Sequence, residues 1–444
     1  MPSYRSTQHG RTARLRRSLA AGLLAAAAVV SAACDSLTDV DAPDVVQPGQ
    51  LDNAQGAEAL TNGALASLYG PFVTFAYNSG LMSDEFFLAT AFTQFADIDY
   101  RTQSLTFTEY GPIAMHRTRT LATMAIEARR KYAPTPASRI GQLFAAKGFV
   151  EMFLGETSCN GTPLSEVVNF QAVFGGPITS DSMLKRALAS FDSALVFAAD
   201  SPRVLNYVRI ARGRTLLNLG RFADAAAAVA GVPTSYVLNA ELTTAVSGQS
   251  NTIWQNMNTG GITVADREGA NGLNFRTAND PRVPTQFIRL GTDGQTQAYL
   301  FSRYTSLASP IPMASGIEAR LIEAEAALQA NRNDTNPTGS GWLGILNSLR
   351  STAITPAMPA LADPGSFDAR VSLLFRERAF WLYATGHRMG DLRRLLRQYG
   401  RAQTSTWPIG TYKAGVNYGT DVVFILTLSE QSNPNGRACT DKNP

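Results

Sequence analysis

Residues 216–229 read LLNLGRFADAAAAV. The leucines close an apolar run that starts with Val204, Tyr207, Val208 and Ala211, which share one face at helical spacing. Gly220-Arg221-Phe222 breaks the run, and Ala223 to Ala230 resume it. Alanine is the strongest helix former, and glycine accepts the backbone of a tight turn at little cost. The pattern predicts two helices, over 203–219 and 223–230, whose small side chains permit close approach.

The same period recurs along the chain. Helices are predicted over 54–69, 115–132 and 137–154, the last two split by Ala133-Pro134-Thr135-Pro136. Leu184, Leu188, Phe191 and Leu195 give a stripe within 181–199. Ile317, Leu321, Ala324 and Leu328 do so within 316–330, behind a capping box of Ser315 and Glu318. Residues 341–351, 366–385 and 390–399 complete the set, with Gly386 as a left-handed C-cap. Residues 216–229 resemble a tetratricopeptide turn, with Leu219, Gly220, Phe222 and Ala225 in the leucine, glycine, aromatic and small-residue places. Roughly 240–312 differ, being rich in Gly, Asn, Thr and Pro without a long period; 286–290 and 299–304 read as short strands there. Residues 70–110 are similarly irregular and rich in aromatics. Irregular stretches of this length are usually functional loops. The expected fold class is mainly α: tetratricopeptide-like helix pairs forming a scaffold, with an irregular loop-rich lobe.

The chain has 444 residues, 45% of them hydrophobic, enough for a sizeable core. Its formal charge of +4 is misleading. Five arginines and no acid lie in residues 1–33, which leaves 34 of the 39 basic residues against all 35 acidic ones. The remaining chain is not basic, so a nucleic-acid partner is not expected. Residues 1–33 have the layout of a secretory signal: arginines to Arg17, an apolar run from Leu19 to Val30, then Ser31, Ala32 and Ala33 before Cys34. The run of about 12 residues is too short for a bilayer, which needs roughly 20. Cys34 after Ala-Ala resembles a lipoprotein lipobox, although Ser31 stands where leucine is favoured. The expected organisation is a lipoprotein signal peptide over 1–33, an acidic tether over 34–53 carrying Pro43 and Pro48, and a body over 54–444.

Two cysteines remain, Cys159 and Cys439. In an exported protein they either form a bridge, which parity and compartment favour, or sit as two small buried residues. With so few cysteines and histidines, no metal centre or cofactor is expected. No HExxH, G-x-S-x-G or P-loop is present. Asp97 and Asp99 form a carboxylate pair, but adjacency does not set the separation that glycoside hydrolysis requires, and they read as solvated loop acids. The expectation is a binding protein, not an enzyme. Sugar C–H faces pack on aromatic rings while amides and carboxylates take the hydroxyls. Aromatics in the irregular segments include Phe72, Phe75, Tyr77, Phe86, Phe87, Phe92, Phe275, Tyr299 and Tyr304. The residues singled out as ligand contacts are Phe95, Tyr100 and Trp254, with Asp97 and Asn256 as hydroxyl partners.

Residues 376–394, RERAFWLYATGHRMGDLRR, carry a family resemblance. Glu377, Arg378, Gly386, His387, Arg388, Asp391, Leu392 and Arg393 fit a pattern of the SusD/RagB outer-membrane lipoproteins. Ala379-Phe380 and Thr385 depart from it and would weaken a buried salt-bridge network. His387 reads as part of a structural polar cluster. In the same order along the chain, Ser83-Asp84-Glu85, Asp280-Pro281-Arg282, residues 319–327, Asn347 to Arg350 and residues 428–435 resemble other family elements. The resemblance implies four tetratricopeptide-like helix pairs. It also implies a surface-tethered nutrient-binding subunit that delivers an oligosaccharide or peptide to a TonB-dependent, SusC-like outer-membrane receptor. An envelope scaffold that binds only proteins is the alternative.

Overall fold

Gly141, Gly148 and Gly155 recur every seven residues in the helix Ala137–Thr157 and therefore lie on one face of it. A Cβ added at Gly148 would lie 2.9 Å from the Phe191 ring, and one at Gly155 would lie 2.8 Å from Leu184. Their missing side chains let this helix approach the helix Ser180–Phe197, which supplies Leu184, Ala187, Phe191 and Ala194 to the contact. Each of the four is buried.

The protein is described by a computed structural model over residues 48–91, 95–104, 112–168, 171–413, 415–426, 433–436 and 439. Cys34, the signal segment, most of the tether, Phe92 and residues 428–432 lie outside the described residues. The chain divides into a unit of residues 1–51, in which Pro48–Leu51 is a 3-10 turn, and a unit of residues 52–444. Among the described residues of the second unit, twelve α-helices alternate with short two-stranded antiparallel sheets. The fold is mainly α. Helices pack in sequence: Ala54–Met82 on Pro112–Tyr132, that on Ala137–Thr157, then Ser180–Phe197, Pro202–Asn218 and Phe222–Val229. Phe222–Val229 next meets Gly316–Ala330, which also touches Trp342–Thr352 and Phe367–Trp381.

Local signals place most helix ends. Asn53, Thr179, Ser201, Ser315 and Ser366 each accept a backbone N–H of the first turn, as N-caps do. Gly220 takes φ +71° between Pro202–Asn218 and Phe222–Val229, as a tight turn requires.

Three expectations need correction. The first helix does not stop at residue 69. It continues through Pro71 to Met82, because Phe72, Phe75, Ala76, Tyr77 and Leu81 on its inner side are all core. Those aromatics, with Phe86, Phe275 and Tyr304, are packed side chains and not exposed loop rings. The helix 366–385 instead ends at Trp381. Gly386 has φ +75° but lies beyond a segment held by side chains. The Tyr383 hydroxyl donates to the Glu85 carbonyl at 2.8 Å, the Ala384 N–H to Glu85 Oε1 at 3.1 Å, and the Tyr304 hydroxyl to the Ala384 carbonyl at 3.0 Å. These buried bonds compete successfully with further helix.

The dispersed motif residues meet in one buried ion lattice. Arg378 grips Asp391 through two bonds of 2.8 and 2.9 Å, and Arg394 joins Asp391 to Glu325. Arg388 grips Asp84 at 2.6 and 2.9 Å. Arg282 reaches both Asp280 and Glu377, and Arg350 reaches Glu377 at 2.9 Å. His387 lies with Nε2 between Arg214 at 2.9 Å and Glu318 at 3.1 Å, while Nδ1 pairs with the Thr385 hydroxyl at 2.8 Å. It is fully packed within this lattice. Burial pushes the Asp391 carboxyl upward, but the Arg378 and Arg394 charges overcome it and hold the group well below the usual range. Buried charges need such partners, and these bonds tie the 84, 280, 325 and 350 regions to the 377–394 segment.

Candidate ligand-binding site

The backbone after Phe95 closes one short helix, Ala96–Asp99, capped by the Tyr100 N–H on the Ala96 carbonyl. This turn buries Asp97 and Asp99, at 4% and 2% exposure, so they are not the solvated acids expected from sequence. The Asp97 Oδ2 accepts the Ser104 N–H at 3.1 Å and steadies the following loop. Asp99 faces another way. Its Oδ2 accepts the Leu88 N–H at 2.8 Å and the Tyr412 hydroxyl at 2.6 Å.

Tyr412 is the hub of an aromatic cluster. It comes from the strand Thr411–Lys413, which pairs with Val416–Asn417. Its ring centroid lies 4.9 Å from Phe87, 5.8 Å from Tyr100 and 5.2 Å from Tyr418. All four rings are half-buried, so each offers part of its surface to solvent. Phe87 points outward because its strand neighbours Phe86 and Leu88 are buried and side chains alternate.

Polar groups surround the rings. The Tyr418 hydroxyl donates to Glu268 Oε2 at 3.2 Å. Lys413 Nζ donates to the Leu88 carbonyl at 2.8 Å and to Asp293 Oδ2 at 3.1 Å, and lies 5.0 Å over the Phe87 ring. Arg101, in a left-handed conformation at φ +59°, lies over the Trp407 and Tyr418 rings at 5.4 and 5.9 Å. Burial lifts Asp99 to about 7, against the pull of the Tyr412 hydroxyl, the Leu88 N–H and Lys413. Burial and then the Asp99 charge lift Glu268 to about 8. Burial thus favours the neutral form of both carboxyls, which in that form can donate as well as accept. Half-exposed rings beside such groups suit a ligand with apolar faces and hydroxyl edges.

The residues singled out from sequence are divided between elements. Tyr100 joins the Tyr412 cluster. Phe95 is half-buried and packs edge-on against Tyr77 at 5.4 Å. Trp254 and Asn256 lie on the helix Thr252–Thr259, where Trp254 leans on the core and the Asn256 amide donates to the Thr252 carbonyl at 2.8 Å. Tyr412, Tyr418, Lys413 and Glu268 escaped notice. Two tyrosines in YKAGVNYG, residues 412–419, are the local trace they leave. Cys159 and Cys439 are joined by a disulfide that spans 280 positions. Among the described residues no helix is long and apolar enough to cross a membrane, and no group of three or more metal-ligating side chains occurs.

No family model matches this sequence, and no curated protein does either. Solved structures do. Surface glycan-binding protein A from Bacteroides thetaiotaomicron has a TM-score of 0.64 at 10% identity, over 88% of this chain and 99% of that one. The protein of the same name from Bacteroides uniformis gives 0.64 at 13% identity, over 87% and 99%. A SusD superfamily protein from Bacteroides vulgatus ATCC 8482 gives 0.62 at 14% identity, over 87% and 99%. The likeness covers nearly the full length of each of them, and this chain shares their fold.

Proposed function

We propose that the protein is a non-catalytic oligosaccharide-binding subunit, acylated at Cys34, that passes its ligand to a TonB-dependent barrel in the outer membrane. The observation that carries this reading is the cluster of half-buried rings, Phe87, Tyr100, Tyr412 and Tyr418, set over Asp99 and Glu268. Two proteins of similar fold are named as surface glycan-binding proteins, which supports the choice of a sugar over a peptide. In this reading residues 1–33 are removed as a lipoprotein signal, residues 34–53 form a tether, and the body binds at the cell surface. The lattice of buried ion pairs holds the scaffold and takes no part in binding.

Retardation of the purified body in native gels containing polysaccharides tests the ligand class. Wild type is expected to be retarded by at least one polysaccharide, and Tyr412→Ala is expected to run free in the same gel. A second reading, a scaffold that binds proteins only, draws on an open apolar groove between Phe222–Val229 and Gly316–Ala330, lined by Phe222, Ala226, Ala326 and Ile345. Blank gels and glycan arrays, together with capture of a defined envelope protein that Ala226→Arg abolishes, would favour that reading instead.

A further inference from the structure

A braced hairpin that takes no part in the ring cluster carries a bare apolar surface. Glu166–Val168 and Gln171–Val173 pair as a two-stranded antiparallel sheet, with Val167 opposite Ala172. All six residues are exposed. Val168, Val173 and the adjoining Phe174 are each about half exposed. With Val167 they make four of the ten large apolar side chains exposed among the described residues, all within positions 167–174. Alternation puts Val167 and Ala172 on one face, Val168 and Val173 on the other, so neither is a core face. A two-stranded hairpin packed on neither face is marginal in water, so something else must hold it.

Its base is fixed. Glu166 meets Arg186 at 3.0 Å and Arg119 at 3.5 Å, and Arg119 also donates to the Ser165 carbonyl. The Asn433 amide donates to the Ser165 hydroxyl at 3.1 Å, and the Asn435 amide to the Phe174 carbonyl at 2.7 Å. Beneath it Thr162–Pro163 pairs with Pro177–Ile178, close in sequence to the Cys159–Cys439 bridge. The valines and Phe174 are thus held out by a rigid stem. No third strand joins either edge among the described residues. Such edges are templates for another strand and are commonly blunted by charge or proline. No charged side chain and no proline occurs from Val167 to Gly176.

Bare edges favour a peptide strand over lipid, because unpaired backbone groups do not enter hydrocarbon. The area is too small for a free-standing pair. Four partly exposed side chains offer a few hundred Å² at most, and a stable soluble interface buries roughly 800 Å² on each partner. A partner moored in the same membrane needs less contact, since the shared anchorage supplies effective concentration. Resting on the lipoprotein-and-barrel reading above, we propose that this hairpin docks on the outer-membrane barrel. An extended, uncharged segment of the barrel pairs with the free edge, and its side chains cover the valines and Phe174.

Co-purification of the tagged, acylated full-length protein from outer membranes in mild detergent, with mass-spectrometric quantification of the barrel, tests this. Wild type is expected to carry a barrel. Val168→Asp and Phe174→Asp are each expected to carry several-fold less of it, at low and high salt alike, while Val168→Ile retains it. Thermal midpoints and polysaccharide retardation of these variants are expected to match wild type, since the hairpin lies outside the core and the ring cluster. A barrel recovered equally with the Asp variants overturns the hairpin contact and leaves the transport reading standing. Absence of any barrel from wild type overturns both. A dimer of the body in ultracentrifugation, or its binding to phosphatidylethanolamine–phosphatidylglycerol vesicles, that Val168→Asp abolishes gives the hairpin to a second copy or to lipid and overturns its assignment to the barrel.

Discussion

The Tyr412 hydroxyl meets the buried carboxyl of Asp99 at 2.6 Å, across 313 positions of sequence. Burial places that carboxyl at about 7, so its charge changes around neutral pH. A charged acceptor holds a hydroxyl more strongly than a neutral one, so the Tyr412 ring is held more firmly as pH rises through 7. Glycan affinity in wild type is expected to rise a few-fold from pH 6 to pH 8. In Asp99→Asn, whose amide oxygen still accepts, this rise is expected to shrink to the part that Glu268 supplies. Calorimetry at the two pH values checks it, and identical pH profiles for the two proteins would refute the coupling.

Glu85 gives a stability prediction with a definite sign. Its Oε1 accepts the Ala384 N–H at 3.1 Å, while Oε2 has no partner among the described residues. Burial lifts the group from 4.5 to about 8, so the folded protein keeps a proton that the unfolded chain releases. The stabilisation this confers is full below about 4.5 and is lost as pH rises through about 8, at up to ~1.4 kcal/mol per pH unit between those values. Glu85→Gln cannot ionise. Its urea midpoint relative to wild type is therefore expected to improve from pH 5 to pH 9, and a constant difference would be evidence against a protonated Glu85.

The seven-residue glycine repeat predicts opposite outcomes for one substitution. Gly148→Ala would bring a methyl within 2.9 Å of the Phe191 ring, and overpacking of that kind costs roughly 1–3 kcal/mol, against about 1 kcal/mol of gained helix propensity. Gly63 is exposed within Ala54–Met82 and has nothing within 4 Å of an added Cβ. Gly63→Ala is expected to raise the thermal midpoint, and Gly148→Ala to lower it. Calorimetric scans of the two variants side by side settle the matter.

The Cys159–Cys439 bridge ties the end of the chain to the segment after the helix Ala137–Thr157. Removing a bridge that closes so long a loop typically costs about 2–5 kcal/mol. Cys159→Ser with Cys439→Ser is expected to lower the denaturation midpoint. Thiol titration of the unfolded, unreduced body should find neither cysteine free.

Helices were legible where period and capping agreed, as at Ser315 with Glu318 and at Gly220. The first helix is longer than expected beyond Tyr69, because Gly70-Pro71 looks like a break. The buried ring face that carries the helix past it belongs to tertiary packing. At the site, Tyr100 could be picked out as an aromatic in an irregular stretch. Tyr412 could not, since its meaning comes from an acid more than three hundred residues earlier. Asp99 showed the same difficulty in reverse: two acids in a loop look solvated until the turn that buries them is known.

The ion lattice and the Tyr412 ring cluster have no residue in common. Arg378, Asp391, Arg388 and Asp84 lock the frame together, while Phe87, Tyr100, Tyr412 and Tyr418 stay half-exposed. Appetite and architecture are thus written in separate alphabets. A redesign that exchanges rings for other shapes would meet no opposition from the arginine–carboxylate bolts, so cargo preference can drift or be re-engineered while the chassis endures.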